Sequence, residues 1–144
     1  MKQKVKYLDA KITRLILIAI VFMSVGLSIE LYLLEHYEGI LQFIPIICVS
    51  LGLILSLILF KFHNTTIQIL FHISLILMVA SGLAGIFLHL KANYEFEKEI
   101  RPSINGIDLF MESLSGALPS LAPGSLILLA LIGYSYTLLI KQQT

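Results

Sequence analysis

Glu30, His36 and His89 are the residues whose types and placement lend themselves to chemistry. Glu30 falls about one turn inside the end of a long apolar run, His36 follows that run, and His89 ends a later one. Imidazole and carboxylate at one level of a helical bundle form the ligand set for zinc, manganese or iron. Glu95 and Glu97, just beyond His89, are further candidate ligands if the chain folds back. Spacing tempers this reading. Bundle metal sites place a Glu and a His three residues apart on one helix, and no such pair occurs here. Glu35 and His36 are neighbours, so on a helix they point to different faces. The same residues also admit acid–base chemistry, because a carboxylate within a membrane segment is costly and is a functional candidate by default. The plainer alternative has Glu30 reaching the interface or bonding to Gln42. Lys91, Glu95 and Glu99 then form the solvated face of a helix leaving the membrane. The alternation of Tyr94 and Phe96 with Glu95 and Glu97 leaves an extended strand open as well.

Other chemistries are poorly served. His72 and His89 lie 17 residues apart on one run, about 25 Å along a helix, so they cannot clamp a haem between them. His63 sits near the opposite end, and His72 is read as hydrogen-bonded inside a bundle, with Gln68 one turn before it. Cys48 is the single cysteine, which excludes an internal disulfide, a CxxC pair and a thiolate metal site. It reads as a small buried apolar residue. The net charge is +1 and no basic patch is interleaved with aromatics, so no nucleic-acid partner is expected. There is no Ser/His/Asp order, phosphate-binding glycine loop or two-histidine motif.

The elements that must position these residues are membrane spans. Of 144 residues 58% are hydrophobic and 13% charged, with a mean hydropathy of +0.93. A soluble domain would carry about 25% charged residues. Four apolar runs, at about 15–34, 40–60, 67–90 and 121–140, each have the ~20 residues needed to cross ~30 Å of hydrocarbon. In lipid every backbone amide needs a partner within its own segment, so the runs are helices. The expectation is an all-α integral membrane protein, a single domain over 1–144. The N-terminal run is too long for a cleaved secretion signal and no small-residue cleavage site follows it. Seven of the ten Lys and Arg fall on the side of the termini and the 61–66 connection, which puts both termini in the cytoplasm. Eight of the nine acids fall on the other side when Glu30 is included. A bacterial inner membrane is the expected location.

Within the connection 91–120, Ile107, Phe110, Met111, Leu114 and Leu118 recur at helical spacing, predicting a short amphipathic interfacial helix over about 106–118. Asn105 is its candidate N-cap. Ser120 is a candidate cap for the fourth span, with Pro123 in the first turn. Small residues four apart, Gly52 with Ser56 and Ser81 with Gly85, predict close helix packing or a homo-oligomer interface. The leading functional expectation is a non-enzymatic accessory, assembly or scaffold subunit in the lipid bilayer, working through helix contacts with copies of itself or other membrane subunits. A metal-binding or metal-handling protein is the second, and an interfacial Glu/His enzyme the third.

Overall fold

Long unbroken apolar runs leave the backbone no alternative to helix in a bilayer, and helices account for the whole architecture. The computed structural model describes residues 2–62 and 64–143, with side chains over 8–62 and 64–141. It contains α1 (Lys2–Leu33), α2 (Ile40–Leu59), α3 (Thr65–Ile100), α4 (Gly106–Leu114) and α5 (Gly124–Gln143). Four of these are long and apolar enough to cross a membrane: Leu8–Leu33, Ile40–Leu59, Thr65–Ile100 and Gly124–Lys141. The spans close into a ring in which α1 packs on α2 and α5, and α3 packs on α2 and α5. α4 packs on α3. His63 lies outside the described residues.

The centre of the ring is built from Leu17 and Ile20 of α1, Val49, Leu55 and Leu59 of α2, Phe71, Leu75 and Met78 of α3, and Leu126, Leu129 and Tyr136 of α5. Cys48 is buried among them. Phe71 meets Tyr136 edge to face at 6.2 Å, the arrangement favoured by ring quadrupoles. Outward faces are apolar too, as at Phe22 (79% exposed) and Ile40 (88% exposed), which fits helices solvated by lipid rather than water. Fully buried serines let the helices close up. Ser56 and Ser74 satisfy their hydroxyls within their own helices, on the carbonyls of Leu53 and Phe71.

Small residues decide the helix seams. A side chain at Gly52 would meet the flexible end of Met78. One at Gly82 would meet Ile127 at 2.8 Å and the Pro123 carbonyl at 2.9 Å, and one at Gly85 the Pro123 ring at 2.7 Å. Gly133 admits Leu75 in the same way. Ser81 is half-buried, and the close approach to α5 falls on its neighbour Gly82.

Element ends differ from the sequence reading in instructive ways. α3 does not stop at Leu90 but runs 36 residues, about 54 Å, so it overshoots the hydrocarbon by several turns. Its start is fixed by Asn64, whose side chain accepts from the Ile67 amide at 2.8 Å. α4 begins next to Asn105, but the Asn105 side chain does not cap it and instead accepts from Lys98 Nζ at 2.8 Å. α4 ends at Leu114 rather than 118, and α5 starts at Gly124 rather than 121, because the chain between them is held by α3. Tight turns from Pro119 to Leu126 lead into α5. Gln42 stays on its own helix, accepting from the Gly39 amide at 2.8 Å.

Candidate functional site

The end of the bundle that carries the α1–α2 turn and the 101–123 segment gathers most of the polar side chains. The turn itself is a Schellman motif. The His36 amide donates to Leu31 O at 3.0 Å and the Glu35 amide to Tyr32 O at 3.1 Å, satisfying carbonyls that a helix end leaves unpaired. Glu35 takes the left-handed position with φ 56°, a place glycine normally fills. That reversal aims His36 across the ring towards α3. The His36 and His89 rings lie 6.2 Å apart between centroids, inclined by 50°.

His89 is oriented by the segment above it. Its Nδ1 lies 3.1 Å from the Pro119 carbonyl. Because a carbonyl only accepts, Nδ1 carries the proton in the neutral ring and Nε2 keeps the lone pair. The Nδ1 of His36 is buried with no hydrogen-bond partner. Two imidazoles from distant parts of the sequence are thus neighbours, one pinned and one unsatisfied.

One turn beyond His89, Asn93 is 2% exposed and holds the 113–120 segment. Its Nδ2 donates to Leu118 O at 2.7 Å, Ser120 Oγ at 2.9 Å and Ser113 O at 3.0 Å, while its Oδ1 accepts from the Leu118 amide at 3.0 Å. The backbone donor fixes which end of the amide is oxygen. Ser120 Oγ in turn donates to Ser113 O, so the serine serves this knot instead of capping α5. Gly116 is required there, since a Cβ would sit 2.5 Å from Asn93 Cγ. In the sequence Asn93 lies four residues after His89, on the same helix face, but asparagine is a poor ligand for zinc, manganese or iron, and Gly116 gives no signal of its own. The usable signal was an asparagine one turn past a span, with a glycine among serines in the facing segment.

Glu95 and Glu97, beyond it on α3, are engaged by cations. Glu97, on the buried side of α3, bonds to Arg101, which also reaches Glu112 of α4 at 3.2 Å. Hydrogen bonds first to Glu97 and then to Glu112 hold the Arg101 guanidinium above its ordinary pKa. Glu95 pairs with Lys91 at 3.6 Å on the exposed face, a contact worth little in water. Lys98 gathers the 102–105 turn through the carbonyls of Ile104 and Pro102. Glu30 is exposed on α1. His72 stands apart, its ring 5.5 Å from Tyr134 of α5.

The structure therefore brings His36 and His89 together, ties Glu97 into the α3–α4 clamp and leaves Glu30 and Glu95 on exposed surfaces. Among the described residues no three His, Cys, Asp or Glu side chains converge to hold an ion. Comparison with models of known families, with curated proteins and with solved structures returned no match.

Proposed function

We propose that this chain is a non-enzymatic accessory or assembly subunit, acting through helix contacts with other membrane subunits or with further copies of itself. The observation that supports this reading is how polar and apolar groups are divided at the lid end. Asn93, Glu97, Lys98, Arg101, Glu112 and Ser120 are spent on holding the 101–123 segment against α3. The apolar stripe of α4 is left outside: Ile107, Phe110 and Met111 are 69%, 47% and 56% exposed, and only Leu109 and Ser113 are buried against the rest of the molecule. A stiff polar scaffold that displays an apolar face suits recognition better than turnover.

In this reading the lid end faces outward and both termini lie in the cytoplasm of a bacterium, with the chain in its inner membrane. Support comes from the excess of Lys and Arg on the terminal side. The test is mild-detergent purification of the full chain with a non-histidine tag, followed by mass and composition of the particle. Stoichiometric co-purification of another subunit, or a defined homo-oligomer, is expected, and Phe110→Ser with Met111→Ser should release it. A monodisperse monomer that behaves identically in the double variant overturns the reading.

A further inference from the structure

The pairing of His36 with His89 goes beyond an assembly role, because two imidazoles whose ring centroids lie 6.2 Å apart are a donor set. His89 has the arrangement typical of a metal-binding histidine: Nδ1 is given to a backbone carbonyl, that of Pro119, which fixes the tautomer and frees Nε2. His36 supplies a buried Nδ1 with no hydrogen-bond partner, and a metal bond would remove that cost. The ring separation bounds the geometry. A metal–nitrogen bond of about 2.0 Å plus about 1 Å to the ring centre places each centroid about 3 Å from a shared ion. Two rings on opposite sides of one ion are then about 6 Å apart, and two rings at a tetrahedral angle are nearer, at about 5 Å. The observed 6.2 Å is wide enough for one ion between the rings and wider than the tetrahedral spacing.

That geometry, with no third His, Cys, Asp or Glu converging among the described residues, narrows the ion. Zinc takes three or four protein ligands in a tetrahedral set, and magnesium, calcium and manganese favour oxygen. Copper(II) accepts imidazoles across a tetragonal plane with water in the remaining positions, and it heads the divalent affinity order. We infer that His36 and His89 hold one copper(II) ion between the α1–α2 turn and α3, beneath the Pro119 segment. The ion would tie the first hairpin to the segment that closes the bundle, joining parts of the chain more than 50 residues apart.

The probe is copper(II) alone, titrated into the full chain in lipid nanodiscs without a histidine tag, with glycine as competing chelator. One copper per chain is expected, with nitrogen couplings from two imidazoles in its electron paramagnetic resonance spectrum and zinc bound at least about tenfold more weakly. His36→Asn and His89→Asn should each weaken binding by about tenfold or more and leave one coupled imidazole. Glu30→Gln and His72→Asn should change neither. The wild-type spectrum decides the matter even if a variant fails to fold. Substoichiometric copper, no imidazole coupling, tighter zinc, or equal loss in Glu30→Gln would each overturn the site.

Discussion

Asn93 is where one side chain carries the most structure. Two amide hydrogens serve three acceptors and the amide oxygen serves one donor, with the bonds to Ser113 and Ser120 fully buried. Replacing it with alanine orphans several buried backbone groups at once, and we expect a loss of about 3 kcal/mol in the closure of the 113–120 segment. Amide hydrogen exchange at Leu118 reads this directly. Protection that survives Asn93→Ala would refute the assignment. Asn93→Asp should be worse near neutral pH, because a carboxylate would face the carbonyls of Ser113 and Leu118. Acidification should partly restore closure, since a protonated carboxyl regains one donor. Glu35 offers the opposite change. Its left-handed backbone carries a Cβ penalty of about 1 kcal/mol, so Glu35→Gly should stabilise the α1–α2 turn by roughly that amount. Unfolding in mixed micelles measures it, and a destabilised variant would show that the Glu35 side chain does unseen work.

At the scale of elements, the α3–α5 seam is set by glycines facing unyielding atoms. Gly82→Ala must displace the Pro123 carbonyl and Gly85→Ala the Pro123 ring, whereas Gly52→Ala meets only the mobile end of Met78. Overpacking of this kind costs about 1–3 kcal/mol where the backbone must move. We therefore expect Gly82→Ala and Gly85→Ala to lower the detergent melting temperature clearly more than Gly52→Ala. Equal losses would mean that the α2–α3 seam is as rigid as the α3–α5 seam. The projecting end of α3 is a second matter of elements. It persists beyond the bilayer because Glu97, Lys98 and Arg101 have partners in the returning chain and in α4. Arg101→Gln should release α4 before it disturbs the spans, which limited proteolysis between Pro102 and Asn105 would report.

For the whole molecule, orientation is the quantity most open to measurement. Single cysteines at Lys4 and Thr144, in a Cys48→Ser background, should resist an impermeant thiol reagent in intact cells, and one at Ser103 should react. External labelling of both termini would invert the proposed topology and move the His36–His89 pair to the cytoplasmic side.

How much of this was legible beforehand follows from the range of the forces involved. Span number, helical class and the existence of a short helix near 106 rest on local composition and periodicity, which a bilayer translates almost directly into helix. Small residues are local features too, and at Gly52, at Gly85 and at Gly82 beside Ser81 a Cβ would meet the facing segment. The outer polar cluster was legible only as a set of residue types. Whether Ser120 caps a helix or bonds to Asn93 depends on a contact 27 residues apart. The approach of His36 to His89 across 53 positions follows from the ring order of four spans and from a left-handed turn at a glutamate. No local pattern encodes either, because hydrogen bonds between remote segments form only once packing has fixed where the helix ends lie.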